Sequence, residues 1–117
     1  MKRIDGRLAL LVAPADGGIS AGLQSAGFQV DRVFRLTEAR VQAERVGFTF
    51  VLCDASFAPR EVQALLGPIR ARGVRTVVLA PHSAEEDADL AARYGADEVL
   101  RTPLSTWTQR HERLGRR

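Results

Sequence analysis

Phe50-Val51-Leu52-Cys53-Asp54 is the stretch that decides the fold, because a purely apolar run ends there in a carboxylate. A continuous apolar run of this length is typical of a strand that is buried on both faces of a parallel sheet. The carboxyl edge of such a sheet is where α/β folds place their sites. We therefore expect Asp54 to lie at a sheet edge where function concentrates.

Apolar runs and helical patterns alternate on both sides of this stretch. The predicted strands are residues 8–12, 28–34, 48–53, 75–80 and 98–101. Helical patterns follow each of them, and the clearest apolar stripe consists of Val62, Leu65, Leu66 and Ile69. Parallel strands need crossover connections, so this alternation predicts an α/β fold with a doubly wound, five-stranded parallel sheet.

Local signals predict where several helices begin and end. Gly27 should stop the first helix, and Asp16 is expected to cap its amino end. Thr37 is the predicted cap of the second helix. Ser83 and Glu86 have the spacing of a capping box, so the fourth helix should start at Ser83.

Composition limits the protein to a few classes. The 117 residues suit a single domain, 1–117, with a frayed basic end at about 115–117. Hydrophobic residues make up 45% and charged residues 26%, which is typical of a globular protein. No apolar run approaches the roughly 18 residues that a membrane span needs. We expect a cytoplasmic protein with no membrane contact.

The chain offers little for catalysis. Cys53 is its one cysteine, which excludes an internal disulfide, and we expect a buried structural thiol in the strand. His82 and His111 have no partners in a nucleophile arrangement, and no glycine-rich phosphate loop is present. We therefore predict that the protein is not an enzyme and holds no metal.

Several short stretches, in this order and spacing, resemble the receiver domain of two-component response regulators, a bacterial signal-transduction family. They are Leu10-Leu11-Val12, Gly27-Phe28-Gln29-Val30, Phe50-Val51-Leu52-Cys53-Asp54, Gly95-Ala96-Asp97-Glu98-Val99-Leu100 and Pro103. The resemblance covers nearly the whole chain. It implies a (βα)5 fold of the flavodoxin-like, CheY-like receiver type.

The resemblance places Asp54 at the phosphoacceptor position, but the positions around it carry other residue types than the family uses. Ala13 and Pro14 replace two acidic Mg²⁺ ligands, Ala80 replaces a hydroxyl residue, Thr102 a lysine and Val99 an aromatic switch residue. Mg²⁺ prefers hard oxygen ligands, which alanine and proline side chains lack. We therefore predict a degenerate pseudo-receiver without Mg²⁺ or other cofactors, in which the position of Asp54 is inactive.

Because the pocket at Asp54 is predicted to be inactive, we expect the function to lie in a protein-binding surface. The resemblance implies binding of a protein partner, or of a second copy, through the fourth helix, fifth strand and fifth helix. The residues expected on this interaction face are Arg101, Leu104, Trp107, Arg110, His111 and Arg113. Glu85, Asp87 and Asp89 are expected to complement its arginines across a two-fold axis.

Two alternative functions stay open. One is a residual or working receiver that is phosphorylated on Asp54. The other is a small nucleic-acid-binding protein that uses its basic ends, because the net charge is +3 and arginines cluster after residue 109. A frayed basic tail explains this cluster more simply, so nucleic acid is the less favoured partner.

Overall fold

A computed structural model of the protein describes residues 7–102. Strands and helices alternate along this part of the chain: β1 Leu8–Val12, α1 Ile19–Ser25, β2 Gln29–Val33, α2 Leu36–Arg45, β3 Phe50–Asp54, α3 Pro59–Ala71, β4 Arg75–Pro81, α4 Asp87–Tyr94 and β5 Glu98–Thr102. The predicted fifth helix, with Leu104, Trp107, Arg110, His111 and Arg113, lies outside the described residues.

All five strands join one parallel sheet in the order β2-β1-β3-β4-β5. The chain runs outward in opposite directions from β1 and β3, so the carboxyl ends of these two strands flank a topological switch point. Val12 is paired with Cys53 and Asp54 with Leu79. The predicted doubly wound, five-stranded sheet is confirmed, and Asp54 lies at its carboxyl edge.

The sheet separates two apolar cores, which alternate residues of its strands supply. On one face, Val51, Cys53 and Val78 pack with side chains of α2, α3 and α4. On the other face, Leu52 and Leu79 belong to the core that contains Ile19 and Leu23 of α1. The central strands are buried on both sides, which explains why they read as uninterrupted apolar runs.

Two predicted helix starts are wrong. Thr37 does not cap α2, because the helix already begins at Leu36 and the Glu38 carboxylate accepts hydrogen bonds from the backbone N–H groups of Phe34 and Arg35. Ser83 does not begin α4, which starts at Asp87. The Ser83 hydroxyl instead accepts a hydrogen bond from the Glu85 backbone within the preceding loop.

The turn from α4 into β5 explains one of the sequence motifs. Gly95 ends α4 with φ 70°, a left-handed conformation that glycine adopts without strain. Two residues later, the Asp97 carboxylate accepts hydrogen bonds from the backbone and hydroxyl of Thr76, at 2.9 and 3.1 Å. Asp97 also pairs with Arg70 of α3. The Gly-Ala-Asp motif therefore fastens the start of β5 to β4.

No helix within residues 7–102 is both long enough and apolar enough to cross a membrane.

Candidate functional site at the carboxyl edge of the sheet

Asp54 ends β3 with a half-buried side chain at the carboxyl edge. Its Oδ2 accepts a hydrogen bond from the Ser56 backbone N–H at 3.0 Å, which orients the carboxylate over the following loop. Ala55 donates its backbone N–H to the Leu79 carbonyl of β4 at 2.8 Å. No side chain among residues 7–102 donates a hydrogen bond to Oδ1 of Asp54.

The end of β1 carries the two positions where the resemblance implied metal-binding carboxylates. Ala13 is fully buried and extends the pairing with β2, because its N–H donates to the Val33 carbonyl. Pro14 is exposed. Arg32 of β2 reaches this loop, where its Nη2 donates to the carbonyl of Ala13 at 3.4 Å and of Pro14 at 3.1 Å. The guanidinium group of Arg32 therefore occupies both carbonyls as a hydrogen-bond donor.

These residues do not fit Mg²⁺. Ala13 and Pro14 offer backbone carbonyls rather than carboxylates, and both carbonyls already accept hydrogen bonds from a permanent cation. Among residues 7–102, no group of three or more histidine, cysteine, aspartate or glutamate side chains is arranged to hold a metal ion. The nearby positive charge of Arg32 would also oppose a divalent cation.

Asp16, the nearest carboxylate in the loop, is not the predicted amino-terminal cap of α1, because Gly18 occupies the cap position two residues later. Its Oδ1 accepts the Ser20 backbone N–H at 2.9 Å, and its carbonyl accepts the N–H of Ile19. The hydrogen bond from the Ser20 side chain, followed by that from its backbone, lowers the pKa of Asp16. The ionised carboxylate is therefore committed to the start of α1.

The positions in β4 and β5 carry small or aliphatic side chains. Ala80 and Val99 are 3% exposed each, and both belong to the core on the α2, α3 and α4 side. Thr102 is half-buried at the end of β5, where it pairs with Pro81. Ala80 lacks a hydroxyl for a phosphoryl group, Val99 lacks a ring, and Thr102 lacks a positive charge.

The predicted burial of Cys53 is confirmed. Its side chain is fully buried in β3, and burial, reinforced by the negative charge of Asp54, raises the pKa of the thiol to about 12. The thiolate is the reactive form of cysteine. Cys53 is therefore a packing residue and not a nucleophile at neutral pH.

Tyr94, which sequence reasoning missed, links α4 to the loop after Asp54. Its ring is 5% exposed, and its hydroxyl donates to the Ala55 carbonyl at 2.8 Å. The only signal in the sequence was an aromatic residue directly before Gly95. The last turn of α4 is thereby tied to the backbone next to Asp54.

Arg101, predicted on the interaction face, forms hydrogen bonds within its own chain. Its guanidinium donates to the carbonyls of Pro81 and Glu85, the hydroxyl of Ser83 and the carboxylate of Asp87. The Arg101 side chain is only 10% exposed. It therefore fastens the loop between β4 and α4 to β5, which also explains why α4 begins after Ser83.

The carboxylates of α4 and of the loop before it are likewise partly engaged. Glu85 pairs with Arg93 at 2.7 Å, and Asp87 pairs with Arg101. Asp89 is exposed in the first turn of α4. Of the predicted complements to a two-fold partner, Glu85 and Asp87 thus already neutralise arginines of their own chain.

Comparisons with known proteins agree on the fold. No family model and no curated protein sequence matches this chain. Among solved structures, the Vibrio cholerae chemotaxis protein CheY4 is similar with a TM-score of 0.76 and 20% identity, over 96% of this chain and 98% of that one.

Two further structures show the same similarity. The receiver domain of the sensor histidine kinase PA1611 from Pseudomonas aeruginosa, with a magnesium ion in its active site cleft, has a TM-score of 0.72 and 23% identity. That match covers 91% of this chain and 93% of that one. HP1043, an orphan response regulator of H. pylori, has a TM-score of 0.65 and 18% identity, and the match covers 90% of this chain and 92% of that one. The chain therefore has the CheY-like fold of response-regulator receiver domains.

Proposed function

We propose that the protein is a signal-transduction module of the pseudo-receiver type. It binds a protein partner or a second copy through the face formed by α4, β5 and the chain that follows. This binding does not depend on Mg²⁺-assisted phosphorylation of Asp54.

The observation that carries this proposal is the contact of Arg32 with the loop after β1. In phosphoryl transfer, metal ions held by acidic residues neutralise the charge that develops on the transferred group. In this chain the guanidinium donates to the carbonyls of Ala13 and Pro14, and no carboxylate stands at either position. The fold is retained, while the charges that would make Asp54 a phosphoacceptor are replaced.

The surroundings of β4 and β5 support the same conclusion. An aspartyl phosphate would add about −1.5 to −2 charges at the carboxyl edge. Ala80 and Thr102 provide no positive charge there, and Val99 is packed in the core. Arg101 holds the loop before α4 through four groups of the same chain. These contacts hold the loop before α4 without a phosphoryl group, which supports binding that does not depend on phosphorylation.

A residual receiver is the second candidate, and the geometry of Asp54 favours it. The carboxylate keeps its place at the switch point, and the Ser56 N–H orients Oδ2 while leaving Oδ1 without a bond from the described side chains. A phosphodonor that brings its own cation would meet a carboxylate oxygen to which no described side chain is bonded. This candidate predicts that phosphodonors modify Asp54.

An NMR titration distinguishes the two candidates. We expect millimolar Mg²⁺ to leave the amide signals of residues 13–16, 54 and 80 unchanged, since Ala13 and Pro14 supply no carboxylate and Asp16 is engaged at the start of α1. Acetyl phosphate and beryllofluoride should leave the mass and the signals of β5 unchanged. Saturable local shifts, or a phosphoryl adduct that Asp54→Asn abolishes, would establish the residual receiver.

The variant Asp54→Asn also tests the function directly. It keeps the size of the side chain and an oxygen that can accept the Ser56 N–H, so the fold should persist. We expect partner binding at wild-type strength. A folded Asp54→Asn protein that no longer binds its partner would contradict the proposal.

A further inference from the structure

A cavity of about 320 Å³ opens at the amino edge of the sheet, opposite to Asp54. Its walls are the last turn of α2, the loop into β3, the end of α3 and the loop into β4. Phe48, Val51, Ile69 and Val74 form an apolar floor. This volume is in the range of cavities that bind small molecules or single side chains.

The cavity continues as a groove between α2 and α3. A smaller cavity of about 80 Å³ shares Ala43, Glu44, Ile69 and Arg72 with the first one. Ala43 on α2 faces this space and Ala64 on α3 borders it, so small side chains leave the two helices incompletely packed. We call the continuous depression, lined among others by Arg40, Ala43, Arg45, Val51, Ile69 and Arg72, the α2–α3 groove.

The rim of the α2–α3 groove is basic. Arg40, Arg45 and Arg72 are exposed, and Glu44 is the one carboxylate among the lining residues. None of these three arginine side chains forms an ion pair or hydrogen bond with any residue from 7 to 102. By contrast, ion pairs engage Arg70, Arg75, Arg93 and Arg101 in the same part of the chain.

The charge balance of the groove remains positive when the helix ends are included. The carboxyl ends of α2 and α3 each contribute roughly half a negative charge. Together with Glu44 they offset about two of the three guanidinium charges. The remaining excess, held at the rim of an apolar floor, fits a ligand that combines a bulky apolar group with carboxylates.

We propose that the α2–α3 groove is a docking site for an acidic segment of a partner protein. In this mode an apolar side chain of the segment enters the cavity above Val51, and flanking carboxylates pair with Arg45 and Arg72. Arg40 extends the basic rim along α2, which suits an elongated ligand. This site is separate from the α4 and β5 face and from Asp54.

The chain's own basic end is a poor occupant. Residues 110–117 contain Arg110, Arg113, Arg116 and Arg117 against Glu112, so their charge repels the rim of the groove. A segment of opposite charge gains both attraction and faster association. The charge pattern thus favours an acidic partner.

A fluorescence anisotropy titration tests the proposal with a labelled synthetic peptide in which glutamates flank a central leucine and phenylalanine. We expect saturable binding, weakened at least about tenfold in the double variant Arg45→Glu/Arg72→Glu, because two rim charges reverse. Arg35→Glu/Arg60→Glu is the matched control, since it changes the net charge equally at exposed arginines outside the groove. The control should change the affinity by less than about threefold.

A second variant tests the apolar floor. Ala43→Leu adds apolar volume to the space that both cavities share. It should weaken binding of the peptide while leaving the fold intact. The amide shifts that the peptide causes should lie within residues 40–51 and 64–74. The absence of saturable binding, equal losses in both double variants, or undiminished binding of a peptide with alanines in place of leucine and phenylalanine would overturn the proposal.

Discussion

Cys53 illustrates, at the scale of one residue, how the interior of the sheet controls chemistry. Its thiol lies in the same strand as Asp54, yet its side chain is fully buried in the core while the carboxylate reaches the edge. Burial raises the pKa of the thiol from 9.0 to about 12, because the charged thiolate would lose its hydration.

The raised pKa of Cys53 predicts a pH dependence with a definite sign. Above about pH 9 the unfolded chain loses the thiol proton while the folded chain keeps it up to about pH 12, so the free energy of unfolding should fall in this window. Urea unfolding at about pH 8 and about pH 10 measures the fall. Cys53→Ala should reduce this fall between the two pH values, although the variant is less stable at both because it loses packing in the core.

Iodoacetamide provides an independent measurement on Cys53. The native protein should resist alkylation near pH 9, and the urea-unfolded chain should react, because only the unfolded thiol ionises there. Rapid alkylation of the native protein would contradict the burial and the raised pKa.

Single residues also show where sequence reasoning succeeds and where it ends. The burial of Cys53 follows from local pattern, and the structure confirms it. The predicted cap at Asp16 is wrong in position, because Gly18 occupies the cap, although the Asp16 carboxylate does accept the Ser20 N–H in the first turn of α1. The roles of Tyr94 and Arg101 rest on contacts with residues 39 and 14–20 positions away. No local pattern predicts such pairings, because they depend on how the strands and helices assemble.

At the scale of elements, the loop between β4 and α4 depends on a side chain of β5. The Arg101 guanidinium bonds two carbonyls, a hydroxyl and a carboxylate across this loop. The local capping signal at Ser83 therefore does not start the helix, because the tertiary contact with Arg101 holds Ser83 in the loop. Helix boundaries depend on such competition more than strand cores do, which explains why the apolar strands were predicted more accurately than the start of α4.

Replacing Arg101 should loosen this loop. Arg101→Ala should lower the free energy of unfolding by about 1–3 kcal/mol, since it leaves carbonyls without their charged donor. Arg101→Lys should rescue only part of the loss, because an ammonium group lacks the planar fork. Urea unfolding gives the free energies, and amide exchange of residues 82–86 should become faster in both variants.

Arg93→Ala is the matched control for Arg101. Arg93 also pairs with a carboxylate of the α4 region, but its side chain is 46% exposed. Loss of such an exposed pair should lower the free energy of unfolding far less than Arg101→Ala does. A result in which both alanine variants cost the same would show that Arg101 is an ordinary surface charge.

At the scale of the whole molecule, the order of the predicted strands was sufficient for the architecture. Alternating strands and helices led to a doubly wound parallel sheet, which the structure confirms. The α2–α3 groove was not predicted, because a gap between helices depends on the packing of small residues. The candidate interaction face was derived from the resemblance, and the whole of it stays a prediction.

Self-association tests that interaction face. If Arg110 and Arg113 lie in a buried interface, Arg110→Glu/Arg113→Glu should weaken association by more than about 1 kcal/mol. If the two arginines are instead exposed at the rim, the variant should hardly change the free energy of association. Analytical ultracentrifugation of wild type and variant at low and high salt measures the difference, with Arg35→Glu/Arg60→Glu as the control of equal charge. The predicted interaction face would be contradicted if the wild-type protein stays monomeric at high concentration and the double variant still binds the same partners.

The contact of Arg32 with the loop after β1 has a physiological consequence. A metal ion exchanges with its surroundings, and its occupancy follows the concentration in the cell. A guanidinium is covalently part of β2 and always protonated, so no chelator, dilution or competing cation removes it. The carboxyl edge of this protein should therefore keep one shape in magnesium-starved and magnesium-replete cells alike.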